Sequence, residues 1–358
     1  MAAQSEREFE AFQSFVLGTK LFWTTELFAE LKRAYQQNLE AAGAQAGEPG
    51  PARVERLLKD ETIDGYFGWF ERHLQRMKYS GHYGLVPFHE SRREALRTEI
   101  DRPVPDGLLS VDADFEMPAY YEAVDVHQHP GGVWSDELAG LVYERGARST
   151  TPLLSADKDL HYRFADLIQS RSPAPKRILD MGCGFGKTTK PLYEVNRDAD
   201  VVGVDLSAPC LRIAAQNAAE GQARNVRFLQ RDAAETGLEA ETFGVVTSTM
   251  LLHEMPVKHV NAVFEEAHRL LEPGGTMIHL DFLPPDDEFL HYLHLGHSRR
   301  NNEPWMKTLA EMGVAGAMEK AGFCDISITP FEESPGALAE AGQKWRFPWT
   351  VISATKAA

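Results

Sequence analysis

At 358 residues the chain is long enough for one catalytic domain and a substantial second one. Asp and Glu outnumber Lys and Arg by 53 to 37, a formal net charge of −16, so a nucleic-acid backbone would be repelled unless a basic patch intervened, and no Lys/Arg cluster of that kind stands in the sequence. Three cysteines, Cys183, Cys210 and Cys324, make no C-x-x-C pair and suggest no disulfide framework. The polar, acidic start from Met1 to Glu10 is unlike a signal peptide, and no uncharged apolar run approaches the roughly 18 residues of a membrane span. The expected compartment is therefore cytoplasmic, with no membrane and no nucleic acid as partner.

Residues 6–40 carry Phe9, Phe12, Phe15, Val16, Phe22, Trp23, Leu27, Phe28, Leu31 and Tyr35 near helical spacing. So many aromatics predict a helix buried against the chain's own second domain or against a partner, as in a homodimer, with an ordinary core helix as the alternative. Residues 41–52 are small, Gly-rich and Pro-containing and read as a linker, and a second helix is expected over 54–78. From 79 to 132, Gly81, Gly84, Pro87, Pro103, Pro105, Gly107, Pro118 and Pro130 exclude long helices, with short strands expected near 108–111 and 123–126. The stretch Asp125-Val126-His127-Gln128-His129-Pro130-Gly131-Gly132-Val133-Trp134 is dense in chemistry. If extended, it puts Asp125, His127 and His129 on one face, as a metal pair with a carboxylate, as pocket lining, or as the cap of a turn. Helices are expected over 135–148 and 157–171, the second capped by Ser155. This divides the chain into a mainly helical domain, 1–150, serving as substrate cover or dimerisation unit, and a second domain, 151–358.

The second domain is organised around Ile178-Leu179-Asp180-Met181-Gly182-Cys183-Gly184-Phe185-Gly186-Lys187-Thr188-Thr189: an apolar run ending in an acid, three alternate glycines, then a helix start. Glycines at every second position let a ligand lie against the backbone, and the next helix turns its free N–H groups toward it. The dinucleotide fingerprint G-x-G-x-x-G fails because Lys187 occupies its third glycine position, and a P-loop fails because its first glycine would be Met181. A carboxylate at Asp180 suits a ligand with a cationic amine better than a polyphosphate. From Arg177 onward strand and helix signals alternate, the signature of a doubly wound parallel sheet. Val201-Val202-Gly203-Val204-Asp205 ends in an acid 23 positions after Gly182, close to where nucleotide folds place a carboxylate on ribose hydroxyls; a helix-capping acid is the alternative.

The pattern Asp-x-Gly-x-Gly-x-Gly resembles the first motif of class I S-adenosylmethionine-dependent methyltransferases, whose loop holds the methionine part of the cofactor. Asp232, after the strand 225–230, matches the acid that meets the adenine amine in that family. The run Glu265-Glu266-Ala267-His268-Arg269-Leu270-Leu271-Glu272-Pro273-Gly274-Gly275-Thr276 resembles the helix–turn before the fifth strand of the ubiquinone/menaquinone-biosynthesis type. Ile326-Ser327-Ile328 and residues 349–354 match its closing antiparallel hairpin. The resemblance covers about 177–358 and implies an α/β fold: a doubly wound, seven-stranded Rossmann-like methyltransferase domain, here preceded by an N-terminal mainly helical domain. It implies S-adenosyl-L-methionine as cofactor, held by Asp180, Gly182, Cys183, Gly184, Gly186, Asp205, Leu206, Asp232, Ala233 and Met250.

Methyl transfer asks the protein to align donor and nucleophile and, for a hydroxyl nucleophile, to supply a base. His253, just past the fourth strand, resembles the base position of small-molecule O-methyltransferases, and Asp281 ends the fifth strand at the same edge. The expected partner is a small-molecule methyl acceptor, met by His127, His129, Trp134, His294 and Arg299. His291, His294 and His297 lie at helical spacing in the insert after Asp281; a pocket-facing or solvated helix side is favoured over a metal site, and no metal is expected. The alternative function is a nicotinamide-dependent enzyme or a non-catalytic scaffold on the same nucleotide fold.

Overall fold

The computed structural model describes residues 5–148, 160–340 and 342–358. Helix α1 (Glu6–Phe22) starts at a capping box, in which the Ser5 hydroxyl accepts from the Glu8 N–H and the Glu8 carboxylate accepts from the Ser5 N–H. A π-turn (Trp23–Leu27) joins it to α2 (Phe28–Ala42). There the Phe28 N–H reaches back to the Trp23 and Thr25 carbonyls. The Thr24 carbonyl is left to accept from the Trp345 N–H at 2.8 Å. The helix expected over 6–40 is thus a rod interrupted where a distant segment docks.

Helices α3 (Pro51–Leu58) and α4 (Thr62–Ser80) replace the single helix expected over 54–78. The elements that follow are short, as the proline spacing requires: α5 (Leu85–Glu90), α6 (Arg93–Ile100), β1 (Leu109–Ser110) and α7 (Ala119–Glu122). The strand expected near 123–126 does not form. Residues Val126–Gln128 make a 3₁₀ turn in which His127 and Gln128 have φ of 58° and 56°, left-handed values that cannot continue a strand. Helix α8 (Ala139–Ala147) follows, then α9 (Leu160–Arg171). The Ser155 cap and the boundary at 150/151 lie outside the described residues.

The remaining elements alternate: β2 (Arg177–Met181), α10 (Thr189–Val195), β3 (Asp200–Asp205), α11 (Ala208–Glu220), β4 (Val226–Gln230), β5 (Phe243–Thr249), α12 (Val257–Leu270), β6 (Leu271–Phe282), α13 (Glu288–Arg300), α14 (Trp305–Glu311), α15 (Val314–Lys320), β7 (Phe323–Pro330) and β8 (Trp349–Lys356). Among the described residues the strands form one sheet in the order β1-β4-β3-β2-β5-β6-β8-β7, parallel except that β8 runs antiparallel to β6 and β7. The doubly wound architecture is as expected. The strand count is corrected from seven to eight, because β1, two residues long, adds to the edge with Leu109 opposite Phe228. Helices on both faces explain why β5 is buried along its whole length and β2 at all but its first residue. The chain order reverses between β2 and β5, and a doubly wound sheet binds its ligands at the carboxyl ends flanking such a reversal.

The first helices bury their inner face within the same chain. Trp23, Phe28, Leu31, Tyr35, Val54, Leu58, Phe67 and Leu74 share one core cluster with Phe289, Tyr292 and Leu293 of α13 and with Trp345. The Phe289 ring sits 5.8 Å from Phe28 and 5.2 Å from Tyr35, centroid to centroid. Burying such a side chain contributes roughly 1.5–3 kcal/mol. At the same joint Glu288 accepts from the Gly50 N–H at 2.6 Å and pairs with Arg53 and the Tyr35 hydroxyl. The front helices are therefore fixed over the carboxyl edge of the sheet through α13 and the β7–β8 connection. Among the described residues no helix is long and apolar enough to cross a membrane.

Candidate active site

The loop after β2 opens at the reversal point. The Cys183 N–H bonds to the Val204 carbonyl at 3.0 Å, and the Gly184 N–H donates to Oδ2 of Asp205 at 2.8 Å. Oδ1 of Asp205 accepts from the Ser207 N–H at 2.8 Å, at the start of α11. Asp205 thus organises the loop while facing the cavity. Burial raises its carboxyl to about 6, partly offset by these backbone donors. The loop glycines differ in what holds them. At Gly182 (φ +66°) an added Cβ would come within 2.6 Å of the tip of the Leu251 side chain, which would have to shift. At Gly184 (φ +52°) it would meet only a Tyr143 ring atom, at 3.9 Å, and otherwise project into open space.

That open space is a cavity of about 260 Å³. Eight of the ten residues expected at the cofactor line it: Gly182, Cys183, Gly184, Asp205, Leu206, Asp232, Ala233 and Met250. Met250 holds a left-handed φ of 58° while its N–H is tied to the Leu280 carbonyl at 2.8 Å. Two do not line the cavity. Gly186 packs against Ala214, and Asp180 is fully buried under the loop, where Oδ2 accepts from the Thr189 hydroxyl at 2.7 Å and Oδ1 has no partner. Burial raises the Asp180 carboxyl to about 7. An open cradle at Gly184 beside an acceptor carboxylate at Asp205 fits a ligand with a ribose and a flexible polar tail. If Asp205 holds the ribose, Asp205→Ala should weaken S-adenosylmethionine binding by about 2–4 kcal/mol, roughly 30- to 1000-fold, since it removes that acceptor together with the anchor of the Gly184 N–H. Calorimetry finding an unchanged Kd would take Asp205 out of the site.

The other end of the cavity is closed by the front helices and the β7–β8 connection, through Trp23, Thr24, Gln75, Tyr143, Trp345 and Phe347 among others. His253 sits between the two ends, in the turn Leu252–Glu254 after β5. It is 1% exposed, and its Nδ1 lies 2.6 Å from Oδ1 of Asp281. Asp281, 0% exposed, also accepts the Leu252 and Phe282 N–H groups at 2.7 Å each. A carboxylate so saturated fixes Nδ1 as the protonated nitrogen and leaves Nε2 for the cavity. Burial works against a charged His253, but Asp281, joined by Glu254 and Glu303, outweighs it and raises the imidazole above its ordinary 6.5. Asp281 itself does not line the cavity and touches it only by way of His253.

Four of the five residues expected at the acceptor lie elsewhere. Only His127 reaches the cavity. His129 is buried, stacked on Tyr79 at 4.9 Å, and burial depresses it to about 3; the 3₁₀ turn breaks the shared face that an extended chain would have given it with His127. Trp134 borders a separate surface pocket with Met117 and Pro209. His294 is buried with both ring nitrogens unpaired, and Arg299 is exposed. The histidine of the insert that does reach the cavity is His297. Among the described residues no group of three His, Cys, Asp or Glu is arranged to hold a metal ion.

Sequence reasoning missed the carboxylates around His127. Its Nε2 lies 2.9 Å from Glu254, and its Nδ1 2.9 Å from Glu303, which is 4% exposed in the connection between α13 and α14. His297 lies 3.6 Å from Glu303 and bonds Glu71, which in turn pairs with Arg300. Burial opposes the charged forms, but the partners outweigh it: His127 and His297 are raised and Glu303 is held well below the carboxylate range.

Residues 178–275 match the family model described as "Methyltransferase domain". The chain carries a class I S-adenosylmethionine-dependent methyltransferase domain. The methyltransferase domain takes S-adenosylmethionine as its cofactor. Among curated proteins, the demethylmenaquinone methyltransferase of Thermus thermophilus is 35% identical over 133 residues, 37% of this chain and 59% of that protein. The arsenite methyltransferase of Halobacterium salinarum is 31% identical over 225 residues, 59% of this chain and 54% of that protein. The chain thus spans a little over half the length of these relatives. Among solved structures, phosphoethanolamine N-methyltransferase 2 of Haemonchus contortus, in complex with S-adenosyl-L-methionine, is 18% identical, with a TM-score of 0.47 over 68% of this chain and 61% of that one.

Proposed function

We propose that the chain transfers a methyl group from S-adenosylmethionine to a hydroxyl of a small, largely planar molecule, with His253 as general base. The observation that carries this reading is the placing of His253: its Nδ1 is fixed on Asp281 and its ring opens onto the cavity that the cofactor loop also lines. Bound S-adenosylmethionine supplies an electrophilic methyl on a sulfonium. As the acceptor oxygen forms its bond to the methyl carbon, the carbon–sulfur bond breaks with its electron pair on sulfur, and the acceptor's proton passes to Nε2 of His253. Gly184, Asp205, Asp232 and Met250 hold the cofactor. The acceptor lies against the aromatic wall beside the base, where Phe282 is 4.8 Å from both His253 and Phe347, and Trp345 and Trp23 continue the surface. The front helices over this end exclude water and limit the acceptor to a small molecule.

Thermal-shift titration tests the cofactor half directly. At a hundred times Kd, a ligand that binds only the folded chain stabilises it by about 2.7 kcal/mol. S-adenosylmethionine and S-adenosylhomocysteine should each raise Tm by several degrees, and NAD should not. A shift with NAD alone would favour a nicotinamide enzyme instead.

A further inference from the structure

Glu303 has no sequence signal and no role in the cofactor half, yet it lies among three imidazoles. One of its oxygens is 2.9 Å from Nδ1 of His127 and 3.6 Å from Nε2 of His297, and the other is 4.0 Å from Nε2 of His253. Its backbone is pinned: the Glu303 N–H donates to the Ser298 carbonyl at 3.0 Å, and the Ser298 hydroxyl donates to the Glu303 carbonyl at 2.7 Å. The neighbouring Asn302 holds a left-handed φ of 57°, and its side chain donates to the Asp125 carbonyl at 3.3 Å. On the other side the left-handed pair His127–Gln128 is held by Gln75, which donates to the His127 carbonyl at 3.0 Å, and by Gln128, which donates to the Arg300 carbonyl at 2.8 Å. Left-handed backbone at non-glycine residues is strained and persists only where surroundings impose it. Here it brings a carboxylate of the insert and an imidazole of the front half to the base.

We propose, resting on the reading of His253 as base, that Glu303 is a positioning residue for the reaction: it locks His127 and His297 around the acceptor and stabilises the imidazolium that His253 becomes. During transfer one positive charge leaves the sulfur and one appears on His253 with the acceptor's proton. That charge forms between two carboxylates, Asp281 at Nδ1 and Glu303 at Nε2. The charge created at the base is thus met by groups already in place and turned toward it, and little reorganises as it develops. The other titratable groups around His253 are few. Glu254 belongs to its own turn and is engaged by His127. On α13, His294 is depressed by burial to about 3, and His297 is held by Glu71 and Glu303. On α14, Lys307 and Glu311 are exposed and paired with each other at 3.8 Å.

The test reads the histidines directly in the full-length protein saturated with S-adenosylhomocysteine. Nitrogen-15 NMR titration, assigned with single His→Gln variants, gives the pKa of His253 and of His127. In Glu303→Gln both should fall, His253 by about one pH unit, the usual effect of losing a carboxylate at this range. Glu303→Asp keeps the charge but withdraws it, and should give a smaller fall of the same sign. Cofactor affinity should not change in either variant, which separates the effect from misfolding. A His253 titration that is unmoved in either variant overturns the proposal while leaving the base assignment intact. Unchanged methyl transfer by His253→Gln overturns both.

Discussion

His253→Gln should slow methyl transfer about 10²- to 10⁴-fold, the usual contribution of a positioned general base, while the Kd for S-adenosylmethionine stays the same. Glutamine keeps most of the volume, and Asp281 still accepts from the Leu252 and Phe282 N–H groups, so Asp281 is not left as an unpaired buried charge. The substitution removes the ring nitrogen that takes the proton together with the imidazole donor at Nδ1. The wild-type pH profile should carry the matching sign. A base must be neutral to act, and Asp281 raises His253, so the rate should climb with pH along a limb centred above the ordinary 6.5 and level off beyond it. In His253→Gln that limb should vanish. A variant that keeps both the rate and the limb would show that the acceptor loses its proton to another group, or has none to lose.

Gly184→Val should abolish detectable cofactor binding, a loss of at least about a hundredfold or 2.8 kcal/mol, in a protein that still folds. The Cβ at this position would project into the cavity and meet only Tyr143, at 3.9 Å, so the branched side chain occupies ligand space. The left-handed φ of +52° adds strain of roughly 1–2 kcal/mol, well inside the about 5–15 kcal/mol by which domains are stable. The same substitution at Gly182 should instead disturb the packing beside the loop, because there the Cβ meets the Leu251 side chain at 2.6 Å and forces it to shift. Circular dichroism and calorimetry on the pair of variants separate the two cases. A folded Gly184→Val protein with wild-type affinity would place the cofactor elsewhere.

The parts of the site that could be read from the chain are those built from neighbours in sequence. The glycine loop, the acid ending β3 and the acid following β4 each follow a buried strand, and the reversal of strand order gathers them at one edge. The acceptor end was legible only in fragments. The His127–Glu303 contact joins residues 176 positions apart, and it depends on two consecutive left-handed residues that no local propensity announces. Helical spacing grouped His291, His294 and His297 without showing which one faces the cavity. The π-turn at Trp23 frees a carbonyl for Trp345, a pairing visible only once both segments are folded. Strand β1 is two residues long, too short to display an alternation, so the eighth strand could not be counted in advance.

The most direct measurement is the fate of the methyl group. The full-length protein is incubated with methyl-labelled S-adenosylmethionine and fractionated small-molecule extract, with His253→Gln and Gly184→Val run alongside, and label is followed by mass. The wild-type protein should place label on a small molecule bearing a hydroxyl, at a rate cut by about 10²-fold or more in His253→Gln and absent in Gly184→Val. Label found only on protein or nucleic acid, or transferred equally by His253→Gln, would contradict small-molecule methylation through this base.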